Sequence, residues 1–329
     1  MRVVGRAVMK SYAVTLLATV ATVLATIGIA FGLAVALGFE ISRTTTLLDE
    51  RLAILGKGPA PRVVFVGDSS LGNAIDTVEW ERLGGGHAVN LGLTATLGYE
   101  ATYNMLRRAL AAWGGSPRVV IMQTAEMMRR PPSTDGLRAS EPNGVGRLAL
   151  EVRHLMSPQQ IRRLASYYKS WAATIVRRDP PPQSRGDAMQ SLAESYVKQQ
   201  PRNPAQTERF ARNVDVNAWI RTIRPEKAEY LRVIADFCAK HGLRCVYAHG
   251  PFADPACSSL GPYLRAVDAF VPRSLTPHPP VCLSTDEVGD SIEHATPAAR
   301  RDVTRRYYEM LRDDLSPESW MSASNAHDK

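Results

Sequence analysis

Three short apolar runs, at residues 63–66, 87–91 and 118–122, constrain the fold more than any other feature of the chain. The first, Val63-Val64-Phe65-Val66, is uncharged and β-branched, the pattern of a strand buried on both faces. Helical segments are expected between the runs. One covers residues 74–83; the other covers 99–113, where Met105, Leu106, Ala109, Leu110 and Trp113 recur at helical spacing until Gly114-Gly115 stops them. Strand, helix, strand, helix, strand within about sixty residues predicts a parallel sheet with right-handed crossovers.

The first strand stops at Gly67-Asp68-Ser69-Ser70. In open α/β sheets ligands gather outside the carboxyl ends of the strands, so Ser69 is a candidate nucleophile there. Gly-Asp-Ser is equally ordinary turn and helix-cap chemistry, and Ser70 is expected to cap the helix that follows.

With 329 residues, 45% of them hydrophobic, the chain is long enough for one large domain or two small ones. Its net charge of +8 is spread along the sequence, with neither an RNA-recognition aromatic signature nor zinc-finger spacing, so nucleic acid is not an expected partner. Residues 11–39 contain no charged side chain, a run ample to cross a hydrocarbon core about 30 Å thick. They predict a transmembrane anchor. Arg2, Arg6 and Lys10 precede it, while Glu40 and Arg43 cancel after it, so residues 1–10 are expected in the cytoplasm and the remainder outside. A cleaved signal peptide is the alternative, with Ala34-Val35-Ala36 as its small-residue site.

Cys238, Cys245, Cys257 and Cys282 all fall on the predicted outer side, where an even count points to disulfides and the spacing matches no zinc site. Three pairings are open. The expected one joins Cys238 to Cys245, between a helix end and the next strand, and Cys257 to Cys282; buried free thiols are the alternative.

Residues 40–61 are expected as a tether ending in the turn cluster Gly-Lys-Gly-Pro-Ala-Pro, and residues 62–315 as the outer domain. Residues 131–225 lack a clear strand and carry Pro180-Pro181-Pro182, so they predict a helical and loop insertion over one end of the sheet, its arginines a solvated face. The α/β rhythm resumes with a helix at 226–240, a strand at 244–248, a helix at 261–270 and a last helix at 297–315, before a polar tail at 316–329. At strand ends, His249 is expected in a structural turn, and Glu126 either to bind a sugar hydroxyl or to pair with Arg129 or Arg130. Trp80, Trp113, Trp171 and Trp219 are expected as core or interface anchors.

The second informative stretch, Asp290-Ser291-Ile292-Glu293-His294, puts a histidine and carboxylates just before the last helix. Serine is a poor nucleophile until an imidazole removes its proton, and a carboxylate then holds the ring tautomer. His294 is the candidate base and Asp290 the first choice of acid, with Asp286 and Glu293 behind it.

Gly-Asp-Ser after strand one, Asn90-Leu91-Gly92 after strand two and a late Asp/His pair before the final helix together resemble the SGNH, or GDSL, esterase superfamily. The resemblance spans about residues 62–315 and implies an α/β fold, a parallel-sheet, flavodoxin-like three-layer sandwich, here with a helical insertion and one N-terminal transmembrane helix. It implies Ser69 as nucleophile, His294 as base, the backbone amides of Ser69 and Gly92 as oxyanion donors, and Asn90 as the residue shaping Gly92's turn. The family's asparagine after strand three is absent; Gln123-Thr124 stand there, leaving those two as substitutes. The Asp290-to-His294 spacing is one residue longer than the family's. The anchored arrangement further resembles proteins that work beside multi-spanning membrane-bound O-acyltransferases. That resemblance implies a bacterial cytoplasmic membrane, a periplasmic domain, a polysaccharide substrate and no metal or cofactor. A non-catalytic glycan-binding or scaffolding subunit is the alternative.

Overall fold

The computed structural model describes residues 2–36, 43–132, 161–162, 164–165, 168–169, 172, 208–209, 212–254, 256–289 and 291–316. The chain divides into two compact units, 1–43 with 151–190, and 44–150 with 191–329.

In the first unit, helix α1 (Arg2–Ala36) contains the apolar stretch Val14–Ala34, with a mean hydropathy of 2.2. It is long and apolar enough to cross a membrane, a property that N-terminal signal sequences share. Thr19, Thr22 and Thr26 return their hydroxyls to carbonyls four residues earlier, so the polar groups of the stretch are satisfied within the helix. Leu164 packs on Phe31 and Ala34, and the Tyr168 hydroxyl donates to the Ala30 carbonyl. The described residues of the expected insertion between 161 and 172 thus belong with α1 in the first unit. Their apolar side chains find an apolar helix there.

The second unit is α/β. Among its described residues, strands β1 (Val63–Gly67), β2 (Ala88–Gly92), β3 (Arg118–Gln123), β4 (Cys245–His249) and β6 (Thr276–His278) form one parallel sheet in the order β2-β1-β3-β4-β6. The strand order reverses at β1, whose neighbours are β2 on one side and β3 on the other. That is the switch point where the carboxyl ends of an open sheet leave a crevice. Every residue of β1 and β4 is buried, so both faces of the sheet are covered.

Two groups of helices provide the cover. Helix α5 (Gly98–Trp113) packs on α7 (Glu226–Lys240), while α3 (Ser69–Ala74) and α4 (Thr77–Arg82) pack on α10 (Arg300–Leu311). Buried polar contacts tie α5 to its neighbours: Lys227 of α7 meets Glu100 at 3.3 Å, and the Tyr247 hydroxyl of β4 meets that of Tyr99 at 2.9 Å. Burial pushes Lys227 down and both tyrosines up, the neutral form being favoured away from water.

The expected tether is largely a helix. In α2 (Arg43–Ile54), Leu47 and Leu48 are buried and Arg51 Nε donates to the Gly92 carbonyl at 3.1 Å, so the domain starts near residue 44 rather than 62. Leu48 and, one turn on, Leu52 pack into the core, and this outweighs the loop signal of the Gly/Pro cluster that follows. At the other side of the insertion, α6 (Val216–Arg221) belongs to the sheet unit, with Trp219 packed edge-on against Phe252 and Tyr263. The single helix expected at 74–83 is broken at Ile75, and Asp76 caps α4 by accepting from the Val78 and Glu79 amides.

Strand β6 was not expected, because Pro277 and a length of three residues hide it. It sits on the sheet edge, the position where a proline is tolerated in a ladder. A second small sheet pairs β5 (Phe252–Ala253) with β7 (Cys282–Leu283), beside helices α8 (Ala256–Ser259) and α9 (Gly261–Asp268). Both expected disulfides are present, Cys238–Cys245 and Cys257–Cys282.

Candidate active site

β1 ends where it touches β3 most closely. A side chain at Gly67 would come within 1.7 Å of the Met122 carbonyl oxygen, so only glycine allows the strand to turn there. The next residue organises the turn. Asp68, 1% exposed, accepts from the Ser70 amide at 2.9 Å and the Ser70 hydroxyl at 2.6 Å with one oxygen, and from the Thr124 amide at 2.9 Å with the other. One carboxyl therefore caps α3 and ties the end of β1 to the end of β3. Ser70 was expected as the cap; Asp68 holds that place, because its extended backbone directs its carboxyl at the first free amides of α3. Desolvation pushes the Asp68 carboxyl upward, opposed by the three donors and by the nearby His294 imidazole.

This arrangement leaves Ser69 at the first position of α3, half-buried, with its hydroxyl 3.0 Å from His294 Nε2. With the proton on Nδ1, Nε2 accepts from the serine. The Ser69 amide has no hydrogen-bond partner among the described residues, as the geometry of a first-turn amide allows.

Tertiary contacts bring together residues 225 positions apart. The His294 loop is pinned on both sides: Val288 and Ala295 form an antiparallel bridge, the Gly289 amide donates to the His294 carbonyl at 2.7 Å, and the Ala253 amide of β5 donates to Ile292 at 2.8 Å. Helix α10, just beyond the loop, grips the far end of α3 through Thr304 on the Ala74 carbonyl and Arg300 on the Ile75 carbonyl. The helix that carries Ser69 is thus fixed to the helix that follows the His294 loop.

Other expected site residues stand differently. Asn90 shapes the turn as expected, its Oδ1 accepting from the Gly92 amide at 3.0 Å while its Nδ2 donates to the Leu71 and Ile75 carbonyls. The Gly92 amide, expected as an oxyanion donor, is thereby engaged by Asn90. Gln123 is fully buried and its amide donates to the Thr102 hydroxyl of α5 at 2.8 Å, because a residue inside β3 must choose a face and this one chooses the α5 face. Thr124 gives its amide to Asp68, and its hydroxyl faces Glu293. Asp290 lies outside the described residues, and so does Trp171. Asp286, an alternative acid, is exposed and bonded to the Ser284 hydroxyl at 2.8 Å. Glu293, the other alternative, is buried against Thr124 and Asp68, and burial pushes its carboxyl up to about 8.

Glu126 pairs with Arg129 and Arg130 at 3.7 and 3.6 Å. His249 Nε2 lies 2.8 Å from Asp268, and its carbonyl accepts from Tyr307. The glycine after it is required by packing, since a side chain at Gly250 would meet the Ser70 hydroxyl at 2.2 Å. Asp254, Cys257 and Cys282 cluster as metal ligands would, but the two sulfurs are bonded to each other and have no thiolate to offer.

Sequence reasoning missed the roles of Asp68 and Gly250. The letters Gly-Asp-Ser placed the aspartate in a turn, yet only the approach of β3 shows that it also holds Thr124. No family model, curated protein or solved structure matches the chain.

Proposed function

We propose that the chain is an anchored, extracytoplasmic serine O-acyltransferase or esterase of SGNH type, moving acyl groups, most simply acetyl, on an envelope or secreted polysaccharide. The observation that carries this reading is the 3.0 Å contact between Ser69 Oγ and His294 Nε2, at the carboxyl end of the strand where the sheet order reverses. In the first half-reaction His294 takes the Ser69 proton as Oγ attacks the ester carbonyl. The Ser69 amide faces the developing oxyanion. The imidazolium then protonates the leaving alcohol, and the acyl group stays on Ser69 as an ester. A sugar hydroxyl or water, deprotonated by His294, resolves it. A membrane-bound acyltransferase that delivers acyl groups across the bilayer is the partner this scheme calls for.

A second reading, a non-catalytic glycan-binding or scaffolding subunit, draws on the Gly92 amide, which Asn90 engages. Loss of one oxyanion donor costs about 10²–10³ in rate. A serine-directed fluorophosphonate and an aryl acetate separate the two. Catalysis predicts labelling and turnover in the wild type and a fall of at least about 10³-fold in Ser69→Ala. Ser69→Ala that turns over the ester as fast as wild type would falsify the catalytic reading, and a wild type that never labels favours the subunit.

A further inference from the structure

A charged side chain on α2 lies beside the turn that carries Ser69. Arg51 is 2% exposed, and its Nε donates at 3.1 Å to the carbonyl of Gly92, 41 residues along the chain. Gly92 ends β2 in register with Gly67 of β1, and the Leu93 amide just beyond it donates to the Gly67 carbonyl at 2.9 Å. Gly92 also lies on the first turn of α3. A side chain there would come within 3.0 Å of both the Asp68 carbonyl oxygen and the Gly72 amide nitrogen, the two ends of the hydrogen bond that closes the turn around Ser69. Whatever fixes Gly92 therefore fixes one wall of that turn.

Both peptide groups of Gly92 are held, the amide by Asn90 and the carbonyl by Arg51. Leu48, fully buried, and Leu52, packed on the core, seat the helix from which the arginine reaches. A neutral donor would hold a carbonyl too, and without the cost of burying a guanidinium. What the charge adds is a fixed positive potential at the end of β2. Such a potential acts on charge that develops during reaction, because an ester is neutral and the tetrahedral intermediate formed from it is an anion.

We propose that Arg51 is a positioning residue of the Ser69 site, holding the Gly92 turn against α3 and favouring the oxyanion through its buried charge. It acts through Gly92. This inference rests on the acyl-transfer reading and extends the machinery of that site to α2, the helix that opens the second unit.

The test is steady-state turnover of an aryl acetate by the full chain in detergent, with active serines counted by a fluorophosphonate so that each rate refers to folded sites. Arg51→Met keeps the stem and removes the donor, Arg51→Gln keeps a donor without charge, and Arg51→Lys keeps the charge. Having two neutral variants guards against one of them losing the fold. In both, kcat per counted serine is expected to fall about 10–100-fold with KM within about twofold of wild type, and Arg51→Lys is expected to be at least about threefold faster than either. Leu48→Ala loosens the seat of α2 and leaves the guanidinium in the chain; it is expected to lower the urea midpoint while keeping kcat per serine within about twofold of wild type. A neutral variant within about twofold of wild type, an Arg51→Lys no faster than the neutral pair, or a Leu48→Ala as slow as they are overturns the inference while leaving the serine reading in place. A wild type that neither labels nor turns over the ester overturns both.

Discussion

Asp68 and Glu293 are two carboxyls in one buried neighbourhood, held in different ways. Asp68 accepts from three donors, so its charge is offset locally; Glu293 has an oxygen with none. Both are pushed up by desolvation, Glu293 to about 8. The consequence for stability has a definite sign. In the unfolded chain Glu293 titrates near 4.5, and in the folded one near about 8, so between those values the native state keeps a proton that the unfolded state releases. The stabilisation is fully present below pH 4.5 and is lost as pH rises through about 8. Replacing Glu293 by Gln removes this slope. The melting temperature of the variant is expected to gain several degrees on wild type between pH 5 and pH 8, measured by calorimetry in one buffer series. A difference that stays constant with pH would refute the upward shift of the Glu293 carboxyl.

Among elements, the β5–β7 ribbon joins a disulfide to the His294 loop. Cys257 on α8 is bonded to Cys282 on β7, β7 pairs with β5, and the β5 amide of Ala253 holds Ile292, two residues before His294. The other bridge, Cys238–Cys245, closes a separation of 7 residues instead of 25 and joins α7 to the beginning of β4, away from the carboxyl ends of the strands. Replacing Cys257 and Cys282 by serine together is therefore expected to slow Ser69 labelling about tenfold and to cost about 2–4 kcal/mol of stability. The same change at Cys238 and Cys245 lowers stability less and leaves labelling within about twofold, because its loop is shorter and holds no site residue. Labelling rates and urea midpoints of the two double variants check this, and equal losses of labelling would sink the idea.

For the molecule as a whole, α1 and the two disulfides bear on where the chain works. An apolar stretch of 21 residues, with three basic residues before it, favours an anchor whose N-terminus stays in the cytoplasm. Disulfides favour an oxidising compartment for the second unit. The expected outcome is that protease added to spheroplasts digests residues 44–316 of a membrane-bound chain, while inverted vesicles protect them. A soluble product starting after residue 36 would instead identify α1 as a cleaved leader.

Local physics determined much of this protein. The runs at 63–66, 87–91 and 118–122 became β1, β2 and β3 to within two residues at either end, because buried parallel strands need unbroken apolar sequence. The helix at 226–240 stands where its periodicity put it, and the cysteines pair as chain proximity to elements suggested. Short-range signals failed where long-range contacts outvoted them: residues 43–54 read as tether until Leu47 and Leu48 found a core, and Thr276–His278 read as loop until β4 offered it an edge. The site divides in the same way. Ser69 and His294 are legible as a serine at a strand end and a histidine before a helix, since each sits in a local turn with its own chemistry. Their 3.0 Å separation, the turning of Gln123 toward α5 and the burial of Glu293 depend on elements far apart in the chain. No window of sequence contains those partners, so only the tertiary structure could bring them within reach.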